Sequence, residues 1–200
     1  MGEEREYSFY GFHGTAESCA RKISEAKKFI YGTIRNDHWL GKGAYFFKDD
    51  EWQAKYWAYN KVMNHEKFKG EKPYVVEVII DVKEQHYLNL DSRAGLWQLD
   101  QFLKKLGDEG LCIFKKEEAT PEIIRCFLLS LLPESIWVIQ RTFYVPSKYD
   151  EDSMFNKMGL YLQGTQICVR NNKAIRPGSI KIKEVDFGVR RRMPKSPRRF

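Results

Sequence analysis

The run Pro73-Tyr-Val-Val-Glu-Val-Ile-Ile-Asp-Val82 constrains this chain more than any other stretch. Val75, Val76, Val78, Ile79 and Ile80 are β-branched, and the proline sits at the start, where a strand tolerates it. A strand of this kind needs partners, and the chain supplies candidates on both sides. Glu6 to Phe12 is rich in Tyr and Phe and runs out at Gly14, and Gly41 to Phe47 is a short strand opened by glycines. Tyr87 to Leu90, Ser135 to Val145, Gly164 to Arg170 and Ile180 to Phe187 complete the predicted strands.

Between them lie helical signals. Ala16 to Phe29 carries Cys19, Ile23 and Ala26 at helical intervals, with Thr15 as the expected cap. Asp49 to His65 has Trp52, Tyr56 and Tyr59 at spacings of four and three, and Asp49 or Asp50 is placed to cap it. Asp91-Ser92 opens a helix whose stripe of Leu96, Leu99, Phe102, Leu103 and Leu106 ends at Gly107. Thr120-Pro121-Glu122 opens another that runs to Leu132. Met154 to Gly159 fits neither pattern. Strands at both ends around a helical block at about 91–132 predict an α+β fold.

Composition sets the scale. Two hundred residues at 42% hydrophobic, with 13 Phe, 11 Tyr and 5 Trp, fill one core, so residues 1–188 are expected to form a single domain. No apolar run approaches the roughly 18 residues of a membrane helix; Arg125 and Ser130 interrupt the longest, Ile123 to Leu132. The acidic start, Met1-Gly-Glu-Glu-Arg-Glu, fits neither a secretory signal nor a transit peptide, so the expectation is a cytoplasmic protein with no membrane partner. Cys19, Cys112, Cys126 and Cys168 are far apart and read as free thiols, with no metal site. Of the net charge of +7, six positive charges belong to residues 189–200, a basic tail without an acid. Such an arm suits a phosphate backbone or an acidic protein surface.

One constellation joins rare residue types to glycine geometry: His13-Gly14-Thr15, then Gly41-Lys42-Gly43-Ala44-Tyr45-Phe46-Phe47, then Tyr56. Gly14 lets a flat ligand approach the backbone and exchange amide hydrogen bonds, and Thr15 offers a hydroxyl beside it. Tyr45 and Tyr56 either face each other as aromatic walls around a planar ring or pack in the core. Lys42 between two glycines is no dinucleotide fingerprint. His38, His65 and His86 have no ligand spacing, Trp97 lies on a helix stripe, and Trp39 is expected to pack under the loop before Gly41.

These residues resemble the ADP-ribosyltransferase fold, in the His-Tyr-Glu branch shared by poly(ADP-ribose) polymerases and diphtheria-type toxins. Phe12-His13-Gly14-Thr15 is similar to the family's first strand, Gly41 to Phe46 to its Gly-x-Gly-x-Tyr-Phe strand, and Tyr56 stands at the family's interval from Tyr45. The resemblance implies a split β-sheet core, NAD as co-substrate, and a nicotinamide held by the Gly14 backbone between Tyr45 and Tyr56. It also implies His13 on the adenosine ribose and Thr15 and Gly43 in the cofactor site. His13, Tyr45 and Gln166 take the catalytic positions, Gln166 standing where the family has glutamate, and Gln53 replaces an assisting serine. A neutral amide positions a ribose hydroxyl but brings neither charge nor base, so polymer elongation is not expected. Glu77 and Glu184 are either replacement bases or, as strand residues of this type more often are, exposed charges.

The implied function is mono-ADP-ribosylation of a macromolecular acceptor, nucleic acid or protein, in the manner of a bacterial toxin or phage-defence effector with an antitoxin or regulatory partner. The alternatives are a catalytically silent NAD- or nucleotide-binding module of the same fold, and a nucleic-acid-binding protein acting through its tail.

Overall fold

The computed structural model of the chain describes residues 4–31, 38–110, 120–144 and 163–186. The segment at 154–159, Cys112 and the basic arm at 189–200 lie outside them. In chain order the elements are β1 (Glu6–Ala16), α1 (Glu17–Ala26), β2 (Ala44–Lys48), α2 (Glu51–Asn64), β3 (Pro73–Lys83) and β4 (Tyr87–Asn89). These are followed by α3 (Arg93–Asp108), α4 (Pro121–Ser130), β5 (Val138–Tyr144), β6 (Gln163–Val169) and β7 (Lys181–Glu184). The expected α+β composition is present.

The strands form one sheet in the order β4-β5-β6-β2-β1-β3-β7. Every pair is antiparallel except β4 with β5, whose parallel crossover is spanned by α3 and α4. β3 is a central strand because its alternating residues serve both faces. Val76, Val78, Ile80 and Val82 enter one cluster with Phe9, Phe46, Ile167 and Val169, on the face covered by α1. Val75 enters another with Phe12, Phe47, Ala54 and Ala58, under α2. Each wholly buried aliphatic contributes roughly 1.5–3 kcal/mol by leaving water. Tyr45 and Phe47 point the same way on β2, so the cluster of Leu88, Leu90, Leu129, Leu132, Ile139 and Cys168 beneath α3 and α4 shares α2's face.

Helix ends follow the sequence in three cases and depart from it in one. Asp50, Ser92 and Thr120 accept the N–H groups of Gln53, Gly95 and Ile123. Thr15 does not cap α1: it is the penultimate residue of β1, and the cap position, Ala16, supplies no side-chain hydrogen bond. Glu71 substitutes from a distant segment, its carboxylate accepting from Ser18 N–H at 2.9 Å and Ser18 Oγ at 3.0 Å. A carboxylate there answers both an orphan donor and the positive end of the helix.

The α2 stripe is also oriented differently from its apolar appearance. Ala54, Ala58 and Val62 face the sheet, not the aromatic residues. Gly14 is the cause: a Cβ there would lie 2.1 Å from the Ala54 carbonyl oxygen and 2.7 Å from the Ala58 nitrogen. Helix and strand touch backbone to backbone, which leaves room only for alanine between them. On α3, Leu96 and Trp97 are exposed, Leu106 closes the stripe in the interior, and the helix runs past Gly107 to Asp108.

Candidate functional site

The site is built where β1 and β2 part. Their ladder holds Gly11↔Lys48 and Phe12↔Phe47, whereas β1 stays registered with β3 as far as Ala16↔Pro73. Tyr10 shows which edge of β1 faces the gap, because its N–H donates to Asp49 Oδ1 and its carbonyl accepts from Asp49 N–H. Peptide groups alternate along a strand, so Gly14, four residues on, also directs its N–H and C=O toward β2. There the ladder gives way to a side chain: His13 Nδ1 lies 2.7 Å from the Tyr45 carbonyl oxygen. A carbonyl only accepts, so Nδ1 carries a proton. His13, Gly14 and Tyr45 are thus brought together, with the imidazole edge-on to Phe29 and beside Phe46.

Tyr45 is fixed at both ends. Its hydroxyl donates to Gly41 O at 2.7 Å and accepts from Leu40 N–H at 2.8 Å, and its ring stacks on His38 at 4.9 Å and 25°. Burial, with the neighbouring Cys168 thiol, raises the phenol well above its ordinary pKa, so it is a neutral wall and not a proton carrier. Cys168, cross-strand from Tyr45, is itself pushed up to about 12 by burial. The loop carrying His38 is held by α4. Lys42 N–H donates to Ser130 Oγ, Arg125 Nε donates to the Trp39 carbonyl, and Gly41, at φ +82°, rests against Leu129 and Ser130. Trp39 meets Phe143 edge-on. The helical block therefore supports one wall of the gap through the loop before β2.

Gly43 has a packing reason of its own, since a Cβ would fall 2.4 Å from Cys168 Sγ. Thr15 is wholly buried, and its Oγ1 accepts from Lys61 Nζ at 3.0 Å, which sets an ammonium beside the position expected to greet a carboxamide. Gln166 pairs with Phe47 on one side and Arg141 on the other, facing α2. Gln53 reaches the same strand, 3.6 Å from where a Gly164 Cβ would sit, so two neutral amides share this floor.

Tyr56 does not face Tyr45. It lies about 200° round α2 from Ala54, on the side turned from the sheet, because the close seating of α2 on Gly14 fixes the helix rotation. Among the described residues the ring stacked on Tyr45 is His38. In the sequence it carries no signal beyond its position, seven residues before Tyr45 and outside any ligand spacing. Glu77 and Glu184 are not at the gap. They pair with Lys181 and Lys183, and with Lys72, on β3 and β7, beyond β1 from the split.

A separate cavity of about 180 Å³ lies under α3, lined by Leu88, Leu99, Phe102, Leu132 and Ile136 among others; His13, Gly14, Tyr45 and Gln166 do not border it. Among the described residues no helix is long and apolar enough to cross a membrane. No family model, curated protein or solved structure matches the chain.

Proposed function

We propose that this protein is a mono-ADP-ribosyltransferase that uses NAD and a macromolecular acceptor, built on a split-sheet core of the ADP-ribosyltransferase kind. The observation that carries the reading is the early end of the β1–β2 ladder, which turns the Gly14 peptide edge toward a gap bordered by His13 and Tyr45. A carboxamide is complementary to one N–H and one C=O on the same strand edge. NAD supplies a glycosidic bond whose electrons leave with neutral nicotinamide, while an acceptor lone pair forms the new bond to the ribose carbon and the acceptor proton passes to solvent.

The chain's own part is positioning. Gly14 holds the carboxamide, His13 meets the adenosine ribose, Tyr45 is the neutral wall, and Gln166 orients ribose hydroxyls from β6. Gln166 adds no charge opposite the developing cation, so the rate rests on geometry and turnover is slow.

Incubation with NAD and cellular RNA, DNA and protein should release nicotinamide and add one ADP-ribose mass to an acceptor, and His13→Ala should abolish both. Release that persists in His13→Ala overturns the assignment. The neutral amide at 166 equally suits a silent module, and NAD binding without any nicotinamide release would select that alternative.

A further inference from the structure

Helix α3 is fastened at its ends and stands off the core between them. Ser92 caps its first turn, Gly95 abuts the Asn89 carbonyl, and Leu106 is buried near the other end. Leu99 and Phe102 lie on the same stripe as Gly95 and Leu106, at spacings of four, three and four, yet both are only half-buried. They face the cavity of about 180 Å³, whose other apolar walls are the buried Leu88, Leu132 and Ile136.

Native cores are filled to crystal density, and an apolar void forfeits contacts around its whole lining. An engineered cavity of about 150 Å³ with Leu, Ile and Phe walls stays dry and takes up benzene. The cavity under α3 has the same kind of wall and reaches the surface, because Gln85, Gln98 and Ser135 border it and are exposed. Among the described residues, neither amide side chain nor the Ser135 hydroxyl has a hydrogen-bond partner. No charged side chain lines the cavity.

We propose that this cavity binds a small neutral aromatic molecule of one ring or two fused rings, with the ring beside Phe102 and one polar group at the mouth. An apolar chamber with a few convergent polar groups is the usual form of a small-molecule site. The amides of Gln85 and Gln98 offer both donors and acceptors to a hydroxyl or an N–H, whereas a charged guest would lose its hydration with no opposite charge to receive it. The site does not depend on the transferase reading, since His13, Gly14 and Tyr45 lie outside it.

The test is titration of the full chain, carbon-13 labelled at its isoleucine and leucine methyls, with phenol, indole and benzoate. Ile136 is the one isoleucine in the lining, so its methyl resonance reports occupancy. Phenol and indole should shift it with a Kd of about 0.1–1 mM and raise the melting temperature. Benzoate, of similar size but charged, should bind at least about tenfold more weakly. Leu99→Trp fills the space from a half-buried position and should weaken indole binding at least about tenfold. Should that variant not fold, Ser135→Phe, at the exposed mouth, is read in its place. Gln98→Leu should narrow the preference for phenol over benzene, and His13→Ala should leave indole affinity unchanged.

An Ile136 methyl that does not move at about 5 mM indole, several times the expected Kd, overturns the proposal. So does indole affinity unaltered by the filling variant, because the rings would then be held by Leu96 and Trp97, exposed on the same helix. Benzoate binding as tightly as phenol overturns it as well. Indole binding without nicotinamide release removes the transferase and keeps this site, and release without indole binding does the reverse.

Discussion

Strand β1 has two neighbours and meets them differently. Against β3 it is registered from Glu6↔Lys83 to Ala16↔Pro73; against β2 it is registered at Gly11↔Lys48 and Phe12↔Phe47. The β3 seam is backed by Val76, Val78 and Ile80, all wholly buried, so closing it removes apolar surface from water at every second residue. The β2 seam instead admits the His13 ring, which takes the Tyr45 carbonyl from the ladder. Apolar side chains close one edge of the strand, and a single polar ring leaves the other open.

Substitutions should separate the two seams. Ile80→Ala, in the closed seam, is expected to cost about 4 kcal/mol, read as a fall in the urea midpoint, because a fully buried aliphatic leaves a cavity. Gly14→Ala should cost about 3 kcal/mol, since its methyl meets the α2 backbone. Gly11→Ala should cost less, because the nearest atom, at 2.7 Å, is the movable Cδ1 of Ile80. Equal losses at the two glycines would mean that α2 yields, and that the helix is not seated as described.

Alkali should probe the β2 side. The Cys168 thiol titrates at about 12 in the fold against an ordinary 9.0, so its contribution is complete below pH 9 and is lost as pH rises toward 12. Tyr45, raised by burial, acts in the same direction. The melting temperature should hold to about pH 9 and then fall, the thiol and the phenol acting together. A flat profile to pH 11 would contradict the burial of Cys168. His13→Ala should have the smallest effect on stability, about 1 kcal/mol for one hydrogen bond, while abolishing the nicotinamide release that the proposed function predicts. A loss matching that of Ile80→Ala would make the imidazole a structural strut.

Much of the fold was legible because local chemistry and tertiary context agree. Pro73 to Val82 reads as a strand and is one, and Asp50, Ser92 and Thr120 start helices as their side chains require. The failures share a cause in long-range packing. Thr15 resembles a cap locally, but β1 continues through it and a carboxylate 53 residues beyond Ser18 serves the helix instead. Trp52, Tyr56 and Tyr59 have the spacing of a buried face, yet a glycine on another element decides which side of α2 is inward. His13, Gly14 and Tyr45 were legible as a group. His38 was not, because its role depends on α4 holding a loop 88 residues away, as the Lys42–Ser130 contact does.

The seating of α2 on Gly14 also determines how the gap can change width. On one side of the seam lie β1, β3 and β7, and on the other β2, β6, β5 and β4, where α4 grips the Trp39–Lys42 loop. Helix α2 straddles the two, touching the Gly14 backbone on β1 while its Ala54 and Ala58 share a cluster with Phe47 on β2. A wider gap would therefore have to slide the helix off one of its two footholds.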